Sequence, residues 1–200
     1  MREFNRRTID RLRGTFVVAL VLPLFKDFIE ANVQKEIRKD CSVIRAAAFA
    51  FHDGRQWRES DTDDLFERSL EIDAEFIEGM GQTPLALDLR SADFGEIRKA
   101  RITLLARTVG DLLKGWPEGV PFERRVSETY SAAQFKEIVD EFFRLYRRET
   151  LMLSASVRLP MPLRKVRNSL SSQLSDSMEV SARALRQEWE SAIFGRSAVK

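Results

Sequence analysis

Two hundred residues, 44% of them apolar and 32% charged, with a net charge of +2, suit a single folded domain that buries its own core. Nine glycines and six prolines are too few for an all-β chain, which needs a turn about every ten residues. The single cysteine, Cys41, excludes an intramolecular disulfide and fits a reducing compartment. The single histidine, His52, excludes His-paired metal sites and the di-iron bundle that takes a histidine from each of two helices.

The charge is unevenly spread. Residues 1–50 hold ten Lys/Arg against six Asp/Glu, residues 51–100 six against thirteen, residues 101–150 nine against eight, and residues 151–200 eight against four. A strongly acidic second quarter lies between two basic ends. The simplest reading is that these faces meet within the fold or across a symmetric contact. The alternative is a basic surface for nucleic acid or anionic lipid.

In chain order, the first feature is an arginine-studded start, Arg6, Arg7, Arg11 and Arg13, running into twelve uncharged residues, Gly14–Phe25. As a helix at ~1.5 Å per residue these twelve span about 18 Å, short of a bilayer core of ~30 Å. A signal peptide has a similar basic start and apolar centre. Here the nearest small-x-small site, Ile29-Glu30-Ala31, follows charged residues. Thr15–Leu22 is rich in β-branched residues, but no partner strand is evident elsewhere. The favoured reading is a helix, apolar all round and so buried on all sides, long and kinked or divided near Pro23. It packs inside this chain, against a protein partner, or in a membrane interface with the arginines at the headgroups.

The helical pattern continues through Ile29, Val33, Ile37, Cys41, Ile44 and Ala48 and ends near His52-Asp53-Gly54. Cys41 lies on that stripe and reads as a buried, inert thiol. His52 reads as a cap on helix-end carbonyls. A second helix is capped at Asp61 or Thr62 and carries Leu65, Phe66, Leu70, Ile72, Phe76, Ile77 and Met80 up to Gly79 or Gly81. Glu67, Glu71, Glu75 and Glu78, with Asp64 one turn earlier, line one of its faces and read as solvated. Thr83-Pro84 opens a short turn.

A third helix starts at the box Asp93-Phe-Gly-Glu96. Its stripe is Phe94, Ile97, Ile102, Leu105, Val109, Leu112 and Leu113, and it stops at Lys114-Gly115 before Pro117. Residues 116–130 read as a connector. Ser131-Ala-Ala-Gln134 is a capping box opening a helix with Phe135, Ile138, Val139, Phe142, Phe143, Tyr146, Leu151 and Leu153, broken at Pro160 and Pro162. Tyr146-Arg147-Arg148 reads as helix surface pairing with Glu149 or Glu141. A last helix carries Leu163, Val166, Leu170, Leu174, Met178, Leu185, Trp189 and Ile193 and ends at Gly195. Five main helices with short connectors predict an all-α, bundle-like fold, one domain over residues 1–200.

Chemistry is sparse. No Gly-x-Ser-x-Gly, Walker motif or Gly-x-Gly-x-x-Gly occurs, and Gly79-Met-Gly81 is a helix stop. The sequence therefore predicts no catalytic residue, metal site, cofactor or small-molecule substrate. It predicts a non-enzymatic protein-interaction component of the assembly, adaptor or chaperone-like kind, cytoplasmic or peripheral to a membrane, contacting a partner or a second copy. The contact residues are Phe16, Val17, Leu20, Val21, Leu24 and Phe25. The anionic-partner residues are Arg6, Arg7, Arg11 and Arg13, together with the basic cluster Arg158, Arg164, Lys165 and Arg167. The alternatives are a helical protein inserting residues 14–25 into a membrane and a nucleic-acid-associated helical regulator.

Overall fold

The computed structural model describes residues 30–79 and 92–156. These form five helices: α1 (Glu30–His52), α2 (Glu59–Gly79), α3 (Ala92–Leu113), α4 (Phe122–Thr129) and α5 (Ala132–Ser156). Among the described residues there is no strand, and the fold is all-α as the apolar periodicity predicts. The predicted kink near Pro23, the turn at Pro84 and the last helix lie outside the described residues.

α3 is the middle of the arrangement. It packs against α1, α2, α4 and α5, and α1 also packs against α2. The reason is in its sequence: Phe94, Ile97, Ile102, Leu105, Val109 and Leu112 are all buried, and the intervening Ala106 and Gly110 are buried as well. A helix apolar over more than one face has to be covered on more than one side. α1 meets it with Val43, Ile44 and Ala47, and α5 with Phe135, Val139, Phe142 and Tyr146.

Helix ends follow local chemistry. At α5 the capping box forms as predicted: the Gln134 N–H donates to Ser131 Oγ at 3.3 Å and the Ser131 N–H donates to Gln134 Oε1 at 3.0 Å. Gly54 and Gly115 follow α1 and α3 with φ of 71° and 67°, a backbone that favours glycine. α2 begins earlier than predicted. The Arg58 N–H donates to Asp61 Oδ2 at 2.8 Å, so Asp61 reaches back to the helix start from within the first turn. Thr62 is no cap either: its Oγ accepts from Trp57 Nε1 at 2.9 Å and lies 3.1 Å from Thr103 Oγ of α3.

The connector predicted over residues 116–130 contains α4, a helix of eight residues. Two side chains fix it. Val126 is fully buried against the core, and Arg125 Nε donates to the Leu112 carbonyl at 2.8 Å. The same guanidinium also reaches the Asp111 and Lys114 carbonyls. A cation on the last carbonyls of α3 satisfies acceptors that the helix cannot and complements its dipole.

At Gly110, α3 packs tightly against the Phe51 side chain of α1. A Cβ there would lie 2.6 Å from the Phe51 ring, which stacks on Trp57 at a centroid distance of 6.2 Å. Gly110→Ala is expected to destabilise the protein by about 1–3 kcal/mol, the usual cost of overpacking. Urea unfolding followed by tryptophan fluorescence measures this. An unchanged midpoint would mean that the Phe51 ring moves aside at no cost.

Candidate functional site

The feature that stands out in the described core is polar. Arg98 and Arg101 of α3 are three residues apart, so both project from the face of α3 that also carries Ile97, Ile102 and Leu105. They are 0% and 1% exposed. Four more charged side chains converge on them, all buried: Lys39 and Asp40 from α1, Asp73 from α2 and Glu149 from α5.

Glu149 bridges the two guanidiniums. Its Oε1 accepts from Arg98 Nε at 2.9 Å and lies 2.8 Å from Arg98 Nη2, and its Oε2 accepts from Arg101 Nε at 2.8 Å. Arg101 Nη1 donates to Asp40 Oδ1 at 2.6 Å. Arg98 Nη1 donates to Asp73 Oδ2 at 2.8 Å and to Ser69 Oγ at 3.0 Å, and Ser69 in turn donates to the Phe66 carbonyl at 2.7 Å. Lys39 Nζ lies 2.7 Å from the other Asp73 oxygen. Aromatic faces take up the guanidinium planes. Arg98 sits 4.5 Å from the Phe94 centroid and Arg101 5.2 Å from that of Tyr146.

Three cations and three carboxylates thus form a neutral network that joins α1, α2, α3 and α5. Arginine suits this place because its fork makes several directed bonds at once and it does not lose its proton. Burial pushes the Glu149 carboxyl up, but the fields of Arg101, Arg98 and Lys39 outweigh it and bring it down to about 2. The carboxylate stays ionised at neutral pH although it is buried.

Other titratable groups have simpler settings. The acidic row Asp64, Glu67, Glu71, Glu75 and Glu78 is exposed, as predicted, with Arg68 on Glu71 at 2.6 Å and Arg38 on Glu75 at 2.7 Å. Tyr130 donates to Asp111 Oδ2 at 3.1 Å. Burial and the Asp111 charge hold its hydroxyl above the ordinary range. Among the described residues no group of three or more His, Cys, Asp or Glu is arranged to hold a metal ion.

Two sequence readings need correction. Glu149 does not pair with Arg147 or Arg148 on a helix surface: it is 2% exposed and bound by α3, and Tyr146 beside it is in the core. Cys41 is half-buried at the edge of the core and not enclosed by it. The predicted contact residues Phe16, Val17, Leu20, Val21, Leu24 and Phe25 lie outside the described residues. So do Arg6, Arg7, Arg11, Arg13, Arg158, Arg164, Lys165 and Arg167. The side chain of His52 is likewise not described.

Sequence reasoning did not find the network. A faint signal was present: the apolar stripe of α3 steps from Ile97 to Ile102 with two arginines in between, at spacings that keep them on the same face. No family model matches the chain, and no curated protein or solved structure matches it either.

Removing one member of the network leaves its partners buried and uncompensated. Arg98→Met is expected to cost about 3–5 kcal/mol, measured by chemical denaturation. Arg68→Met, which breaks an exposed pair, is expected to leave the midpoint in place. Equal losses would contradict the assignment of Arg98 to the interior. A second expectation concerns acid. A carboxyl whose folded pKa lies below its unfolded value of 4.5 stabilises the fold above that value, and its contribution is lost as pH falls toward 2. Stability is expected to hold to about pH 5 and fall steeply over the next two to three units. A flat profile down to pH 2.5 would show that Glu149 is not paired as described.

Proposed function

We propose that this chain is a non-enzymatic helical protein-interaction component of the assembly, adaptor or chaperone-like kind, working in the cytoplasm or at the periphery of a membrane. In this reading the core built from α1–α5 is the scaffold, and the apolar run Gly14–Phe25 makes the contact with a partner or a second copy. The observation that carries the reading is the buried charge network. Six buried charged residues are engaged with one another across four helices, which supports a role in holding the scaffold. Buried ion pairs contribute little net stability compared with apolar residues of the same volume, but they penalise every arrangement that leaves one unpaired. A rigid platform of that kind suits a protein whose task is to present a surface.

The contact segment has support of a different sort. Twelve uncharged residues preceded in sequence by Arg6, Arg7, Arg11 and Arg13 have the composition of an apolar contact with a cationic border. Among the described residues no helix is long and apolar enough to cross a membrane.

The test uses the full chain with Leu20→Glu and Leu24→Glu. Light scattering coupled to size exclusion gives its mass, and circular dichroism its fold. The reading expects the variant to lose self-association or partner capture while its helix content and melting midpoint stay those of the parent. A variant that unfolds would make the segment core and overturn the proposed contact. Retained association by a folded variant would also overturn it.

A further inference from the structure

We propose that Glu149 is an electrostatic latch. It holds the C-terminal part of α5 on the platform of α1, α2 and α3, and it acts through the charge balance of the whole network. This does not depend on the contact assigned to residues 14–25.

Each helix brings its own share of the charge. α1 contributes Lys39 and Asp40, α2 contributes Asp73 and the Ser69 hydroxyl, and α3 contributes Arg98 and Arg101. Those three helices alone enclose three cations and two carboxylates. The missing negative charge is Glu149, delivered by α5 with the ring of Tyr146 one turn before it. Undocked, α5 leaves a net positive charge in the interior, and such a charge is among the most costly things a core can hold.

The apolar anchors of α5 lie earlier along the helix. Phe135, Val139, Phe142, Leu145 and Tyr146 are buried, and Glu149 is the next buried side chain described on α5. The N-terminal part of α5 is therefore held by apolar contact, and Glu149, one turn beyond Tyr146, adds a charged contact with α3.

Charge balance makes a prediction that a simple contact does not. If Lys39 is neutralised along with Glu149, two intact pairs remain: Arg101 with Asp40 at 2.6 Å and Arg98 with Asp73 at 2.8 Å. Removing a second partner is then expected to repair the damage done by removing the first.

The experiment is amide hydrogen exchange on the full chain as parent, Glu149→Gln and Lys39→Met/Glu149→Gln. In Glu149→Gln, amides of residues 146–153 are expected to exchange on the order of a hundredfold faster, while those of residues 102–110 in α3 stay within about threefold of the parent. The double variant is expected to return residues 146–153 to within about tenfold of the parent. Should Glu149→Gln fail to fold, a folded and protected double variant still supports the latch. The proposal is overturned if Glu149→Gln exchanges like the parent, if its α1, α3 and α5 loosen together, or if the double variant is no better protected than the single one.

Discussion

Two buried guanidiniums set the terms for this fold. Arg98 and Arg101 are on the helix that every other described helix touches, so whatever neutralises them has to come from those neighbours. Desolvating an ion costs several kcal/mol, and a single partner rarely compensates for that. Here Arg98 has two carboxylates and a hydroxyl, Arg101 has two carboxylates, and both have an aromatic face. The partners come from positions 25 to 61 residues away in sequence. Satisfying the two arginines is therefore equivalent to bringing α1, α2 and α5 to α3 in one arrangement.

The apolar core and the charge network do different work. Burial of Ile44, Ile102, Leu105, Val109 and Phe142 supplies most of the driving force, at about 1.5–3 kcal/mol for each large side chain. Apolar contact tolerates sliding and rotation, whereas directed bonds from planar guanidiniums do not. Arg125 repeats the principle on a smaller scale at the other end of α3, where its guanidinium ties α4 to three carbonyls.

What was legible in the sequence is what short-range physics controls. The Ser131–Gln134 box, the stop at Gly115 and the stripe from Phe94 to Leu112 depend on neighbours three or four residues away, and each appears in the structure. α4 was missed because it is only eight residues long and follows Pro117, Gly119 and Pro121, which read as a connector. The network was missed for a deeper reason. Arg98 beside Glu96 and Glu149 beside Arg148 look like any solvated helix surface, and only the packing of distant helices turns them inward. The acidic row from Asp64 to Glu78 has the same composition and does stay in solvent.

The account's central claim, that two arginines are buried and bonded to Glu149 in the native protein, has a direct spectroscopic test. Arginine Nε–H groups are resolved in a proton–nitrogen correlation spectrum, and their exchange with solvent reports their surroundings. Of the 25 arginines in the chain, Arg98 and Arg101 should show Nε–H signals that exchange far more slowly than those of exposed arginines such as Arg124 and Arg144. Substituting Glu149 by Gln should shift both protected signals together. If all arginine Nε–H groups exchange alike, or if Glu149→Gln leaves the protected pair untouched, the network does not hold this fold together.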